Sequence, residues 1–150
     1  MITIQQVTSR DAGLRQLISE LDDDLFQRYP AEQVHRLDLD HPDMEQVTFV
    51  VAYLDAAPVG CGAIRRLDDQ YTELKRFYVQ SSHRRKGIAG QLLTALEQRA
   101  GEQGHSGIRL ETGAAQPEAL AFYERNGYIA IERFGEYVYD ASSLCYEKSI

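Results

Sequence analysis

Leu74-Lys75-Arg76-Phe77-Tyr78-Val79, followed after four residues by Arg84-Arg85-Lys86-Gly87-Ile88-Ala89-Gly90, reads as a strand that runs into a basic, glycine-containing loop and then directly into a helix. Ile88, Leu92, Leu93, Leu96 and Ala100 recur at helical spacing and mark that helix's apolar face. A strand, loop and helix in this order aim backbone N–H groups and a helix N-terminus at one point, where a phosphate-bearing ligand can sit. Gly87 and Ala89 allow its close approach, and Gly90 leaves the first turn uncrowded. His83, Arg84, Arg85 and Lys86 gather positive charge there. Basic side chains at a helix N-terminus oppose the helix dipole, so their clustering points to a polyanionic ligand.

Working outward, Ile2 to Val7 reads as a strand, and Asp11 to about Tyr29 as a helix on Leu14, Leu17, Ile18, Leu21 and Leu25, stopped by Pro30. Ala31 to Leu39 is expected to form a second short helix. Val47 to Leu54 is β-branched and aromatic, and Asp55-Ala56-Ala57-Pro58 turns it into a strand from Val59 to Leu67. Thr72 to Val79 is the next strand, the Ile88 helix runs to about Gly101, and Gly107 to Thr112 is a short strand. A helix from Pro117 to Arg125 stops at Asn126-Gly127. Strand-like segments at Tyr128 to Arg133 and about Tyr137 to Lys148 close the chain. The order βααβββαβαββ is that of one α/β domain with a mixed sheet.

The 150 residues suffice for one domain with a real core. Composition is that of a soluble globular protein: 43% hydrophobic and 26% charged, with no apolar run near the ~20 residues of a membrane span. The N-terminus carries neither a basic n-region nor a long apolar stretch, so no signal peptide and no membrane association are expected. Cys61 and Cys145 lie far apart in apolar contexts and are expected as buried free thiols, in keeping with a cytoplasmic location. A net charge of −7 argues against nucleic acid, whose binding rests on Lys and Arg. The four histidines show no ligand spacing, so no metal is expected. Neither a Rossmann Gly-x-Gly-x-x-Gly nor a Walker Gly-x-x-x-x-Gly-Lys-(Ser/Thr) string occurs.

Arg84-Arg85-Lys86-Gly87-Ile88-Ala89 fits (Arg/Gln)-x-x-Gly-x-(Gly/Ala), and Ala119-Leu120-Ala121-Phe122-Tyr123-Glu124-Arg125-Asn126-Gly127-Tyr128 fits ALxFYxxxGF/Y. On these two segments and the element order, the chain resembles the GCN5-related N-acetyltransferase (GNAT) superfamily over essentially its whole length, most sharply from Glu73 to Tyr128. The resemblance implies a single-domain α/β fold, with a mixed, mostly antiparallel twisted sheet of about seven strands flanked by about four helices. It also implies acetyl-CoA as cosubstrate, held at the pyrophosphate by Arg84, Arg85, Lys86, Gly87, Ile88, Ala89 and Gly90 and along the pantetheine by Phe77 and Val79. Gln116 stands where many relatives carry an Asn or Gln that contacts the coenzyme.

Transfer from a thioester to an amine needs the amine deprotonated, and lysine-like amines have a reference pKa of ~10.4. A general base is therefore useful. Glu73 is the candidate: it lies eleven residues before Arg84, the offset at which relatives carry a catalytic glutamate. The strand from Glu73 to Val79 would span ~20 Å at ~3.3 Å per residue, separating the thioester from the phosphate loop. By strand alternation Glu73, Lys75, Phe77 and Val79 are expected on one face. Tyr123 matches the tyrosine that points at the coenzyme A sulfur in the family and is the candidate general acid.

The acceptor is expected to be a small-molecule amine or a peptide amine, met near Asp22-Asp23-Asp24, Tyr29, His35 and Tyr137. A protein lysine or N-terminus as acceptor, and an acyl-CoA-binding module without turnover, stand as alternatives. Dimers are common in the family, so a homodimer is compatible with the resemblance.

Overall fold

A computed structural model describes residues 1–34, 38–113 and 116–150. The strands are β1 (Ile2–Val7), β2 (Val47–Leu54), β3 (Ala57–Arg66), β4 (Tyr71–Val79), β5 (Gly107–Gly113), β6 (Ile129–Ile131) and β7 (Ser143–Ser149). The helices are α1 (Ala12–Arg28), α2 (Ile88–Glu102) and α3 (Pro117–Arg125). The seven strands form one sheet in the order β1-β2-β3-β4-β5-β7-β6. Every neighbouring pair is antiparallel except β4 with β5.

Asp11 caps α1, its carboxylate accepting from the Leu14 N–H at 2.9 Å. Leu14, Leu17 and Ile18 of α1 bury against Phe49, Val51, Cys61 and Ala63 on one face of the sheet. Leu92, Leu93 and Leu96 of α2, with Tyr123 of α3, pack on Val50, Ile64, Leu74 and Ile108 on the other. The sheet is thus covered on both faces, and both cysteines are free and buried, as expected.

The expected second helix over Ala31–Leu39 is a correction. A 3-10 turn occupies Ala31–Gln33, residues 35–37 fall outside the described residues, and a second 3-10 turn spans Pro42–Gln46. Three α-helices therefore flank the sheet among the described residues. In the tail, the strand expected from about Tyr137 begins at Ser143; Tyr137 closes a 3-10 turn over Gly135–Tyr137, where Gly135 takes φ +54.

Two irregularities of β4 shape what lies beside it. Its pairing with β5 runs only from Tyr71↔Gly107 to Leu74↔Leu110, so the strands part beyond Leu74 while β5 stays joined to β7 as far as Gly113↔Ser143. Opposite β3, the register shifts between Cys61↔Tyr78 and Ala63↔Lys75, and Arg76 in the extra position takes φ +49. This is a β-bulge, and it flips the side-chain sequence by one. Glu73 and Lys75 lie opposite Arg65 and Ala63 on the α1 face, whereas Phe77 and Val79 join the core on the α2 face. The expectation that Glu73, Lys75, Phe77 and Val79 share a face is overturned by the bulge.

Candidate active site

The gap where β4 and β5 part opens a cleft of about 900 Å³ between α1, α3 and the loop that starts α2. At one end, Arg85 takes φ +64 and Gly87, the N-cap of α2, takes φ +81. Left-handed backbone at alternate positions turns successive N–H groups inward, and Ile88, Ala89 and Gly90 in the first helical turn have no intrahelical acceptor. Nothing lies within 4 Å of a Cβ built on Gly87 or Gly90, so the backbone meets open space at both. Arg84 is tied back to the strand end, its Nε donating to the Val79 carbonyl at 3.0 Å. Arg84, Arg85, Gly87, Ile88, Ala89 and Gly90 all line the cleft, and Lys86 does not.

Phe77 and Val79 form the wall behind this end. Gln116 also lines the cleft, and its Oε1 accepts from Tyr29 Oη and from the Gly113 N–H, each at 3.4 Å. A second link crosses between the same helices: Arg28 of α1 pairs with Asp24 at 3.2 Å and with Glu118 of α3 at 3.0 Å. These contacts strap the end of α1 to the start of α3 across the cleft.

Deeper in, Tyr123 is only 6% exposed yet reaches the cleft, its ring packed against Phe77, Phe122 and Tyr128. Burial, and after it the charge of Glu111, raises its phenol well above the ordinary range, so it stays protonated. Its hydroxyl makes no hydrogen bond to any described residue. Glu111 lines the cleft as well and accepts from Ser143 Oγ at 2.7 Å.

Glu73 is 2% exposed and does not line the cleft. Its carboxylate accepts from Tyr137 Oη at 2.6 Å and from Arg65 at 3.3 Å, with Lys75 Nζ 3.7 Å away. Lys75 and Tyr137 are the groups of this cluster that face the cleft. Burial lowers the Lys75 ammonium against the opposing pull of Glu73, and burial followed by Glu73 raises the Tyr137 phenol.

The acceptor-side residues divide. Asp22 is buried and pairs with Arg76 at 2.9 Å, Asp23 is exposed, and Asp24, Tyr29 and Tyr137 line the cleft. His35 lies outside the described residues. The motifs give Lys75 no role. Strand alternation places it beside Glu73, as found, but the charge cluster it joins is assembled by tertiary contacts.

Comparison with known proteins gives a consistent result. A family model described as "Acetyltransferase (GNAT) family" matches residues 14–128. An IAA acetyltransferase of Azospirillum brasilense is 38% identical over 151 residues, covering 99% of this chain and 98% of its own. A solved Klebsiella pneumoniae structure, described as an acyl-CoA N-acyltransferase, superposes with a TM-score of 0.83 at 32% identity, covering 99% of this chain and 97% of that one. The PaiA N-acetyltransferase of Thermoplasma acidophilum, solved in complex with coenzyme A, has a TM-score of 0.75 at 18% identity, covering 100% and 99%, and shows likeness of fold alone.

Proposed function

The chain belongs to the acetyltransferase (GNAT) family, and from that premise we propose that it is an acetyl-CoA-dependent N-acetyltransferase acting on the primary amine of a small molecule. The observation that carries this reading is a single cleft that joins the open N–H cradle at Arg84–Gly90 to the buried, protonated phenol of Tyr123. The PaiA relative holds coenzyme A. Here the pyrophosphate would meet the α2 N-terminus, and the pantetheine would lie along β4 beyond Leu74, where the strand leaves β5.

Bound acetyl-CoA supplies an activated acetyl group. The amine, having lost a proton to the Glu73 side of the cleft, attacks the carbonyl carbon. As the carbon–sulfur bond breaks, Tyr123 donates a hydrogen bond to the departing sulfur. The product is an amide and coenzyme A thiol, with one proton released.

A small acceptor is supported by the contacts Arg28–Glu118 and Tyr29–Gln116, which tie the end of α1 to the start of α3 across the cleft. The name of the Azospirillum relative, an IAA acetyltransferase, supports it too. Thiol release from acetyl-CoA should appear with members of a primary-amine panel and stay at background with lysine peptides. Tight coenzyme A binding without turnover on any amine would sink the enzyme reading, and turnover on peptides alone would move the acceptor to protein.

Gly87→Val tests the cradle. Its Cβ clashes with nothing in the protein, so the effect comes from placing a β-branched residue at φ +81 and from crowding the ligand. A left-handed non-glycine residue costs on the order of 1–3 kcal/mol. Coenzyme A affinity measured by calorimetry should fall about tenfold or more, with the far-UV spectrum unchanged.

A further inference from the structure

Among the described residues, five Lys and Arg line the cleft: Lys75, Arg76, Arg84, Arg85 and Arg125. Three of them are engaged within the protein. Lys75 Nζ donates to Tyr137 Oη at 3.1 Å, Arg76 pairs with Asp22 at 2.9 Å, and Arg84 Nε donates to the Val79 carbonyl at 3.0 Å. Arg85 and Arg125 make no hydrogen bond or ion pair with any described residue. The chain has 23 acidic residues against 16 Lys and Arg, so carboxylates to pair with are in excess, yet these two guanidinium groups remain available to an anion in the cleft.

The two stand on different walls. Arg85 belongs to the N–H cradle itself. Arg125 closes α3, whose residues Glu118, Ala121, Phe122 and Arg125, at spacings of three and four, turn one face to the cleft. That face starts near the cradle, since Arg84 lies close enough to Glu118 for their charges to interact. It passes Phe122, stacked on Phe77 at 5.8 Å, and reaches Arg125. From Glu118 to Arg125 the helix advances ~10 Å at ~1.5 Å per residue. Arg125 is exposed at the rim, whereas Tyr123 is buried. A basic residue in the last turn is favoured by the helix dipole whichever way it points. The dipole does not account for its facing the cleft.

We infer that Arg125 binds the third phosphate of acetyl-CoA, the 3′-phosphate of its ribose, and so selects coenzyme A over the form that lacks it. The inference rests on the acetyltransferase reading above. Coenzyme A carries charge in two places, a pyrophosphate and a phosphate monoester one ribose away. The cradle at Arg84–Gly90 meets the first with backbone N–H groups and Arg85. The second anion enters the same cleft in a protein of net charge −7 and needs a cation of its own. A guanidinium offers a fork of N–H donors that matches phosphate oxygens two at a time. The acceptor is not the anion that Arg125 meets: transfer takes place at the buried Tyr123, and the nucleotide end of the cosubstrate is the part that reaches the rim.

Calorimetric titration of wild type, Arg125→Gln and Arg85→Gln with coenzyme A and with 3′-dephospho-coenzyme A completes a thermodynamic cycle. Wild type should bind coenzyme A about tenfold more tightly than the dephospho form, the effect of one charge-assisted contact near solvent. Arg125→Gln should lose about tenfold on coenzyme A and less than about twofold on the dephospho form, so that the preference disappears. Arg85→Gln should weaken both ligands alike. Equal affinity of wild type for the two ligands overturns the inference with no variant needed. Equal losses on both ligands in Arg125→Gln overturn it too, since the guanidinium would then serve the pyrophosphate or the fold. A preference that survives in Arg125→Gln and vanishes in Arg85→Gln moves the 3′-phosphate to the cradle and overturns it as well. Wild type that binds neither ligand defeats the acetyltransferase reading itself, a result distinct from any of these.

Discussion

Tyr123→Phe should lower kcat by about 10²- to 10³-fold, the usual loss for one donor aimed at developing charge, while leaving coenzyme A affinity near wild type. The substitution removes one oxygen from a ring that is otherwise kept. Phe77, Phe122 and Tyr128 surround that ring at centroid distances of 6.1, 5.5 and 5.7 Å, and none of those contacts needs the hydroxyl. The hydroxyl has no described hydrogen-bond partner, so its loss strands no buried group, and stability should change by less than about 1 kcal/mol. Burial and Glu111 raise the phenol, which is therefore neutral and able to donate throughout the usable pH range. Its ordinary pKa of ~10 already exceeds the ~8.5 of a thiol, so complete proton transfer to sulfur is uphill. The role that fits is a hydrogen bond to the departing thiolate, with the last proton coming from the attacking nitrogen. Steady-state thiol release gives kcat and calorimetry gives the affinity. A kcat within threefold of wild type would take Tyr123 out of the chemistry.

Local signals carried most of the framework. β1, β2 and α3 run over the residues expected, because alternation, β-branching and the Pro117 and Asn126-Gly127 boundary signals act within a few residues of one another. The phosphate-loop motif sits on the helix start its residues imply. What escaped reading is tertiary in origin. Lys75-Arg76-Phe77 looks like uninterrupted strand, and arginine has no preference for left-handed backbone, so nothing local announces the bulge at Arg76. Tyr137 reads as the start of a strand, yet its place follows from a hydrogen bond to Glu73, 64 residues earlier. Glu73 was legible as a chemically apt carboxylate at the right offset; that it stands behind the cleft wall, and not on it, was not.

The bulge is also where stability and function meet, and Asp22→Ala should show it. Asp22 of α1 is buried beneath the sheet, and its carboxylate meets the Arg76 guanidinium at 2.9 Å, both side chains being 10% exposed or less. Removing one member of a buried ion pair costs about 3–5 kcal/mol, because the remaining charge loses its counterion without regaining water. For a chain of this length each kcal/mol shifts the melting temperature by about 2–4 °C, so a drop on the order of 10 °C is expected by calorimetry. Asp22→Leu combined with Arg76→Met should recover much of that loss, since an apolar pair of similar volume carries no desolvation cost. Recovery of stability need not restore function. Arg76 takes a backbone conformation costing on the order of 1–3 kcal/mol, and the ion pair ties its side chain to α1. The turn at that residue sends Glu73 and Lys75 to one face and Phe77 and Val79 to the other, so that the buried Glu73–Lys75–Tyr137 cluster and the apolar wall of the cleft both draw on one strand. With the tether gone, β4 is free to relax toward regular alternation, which would pull Phe77 and Val79 out of the cleft wall. The double variant should therefore be close to wild type in melting temperature but raise KM for acetyl-CoA severalfold. A double variant with wild-type KM would show that the bulge is held by the strand pairing alone.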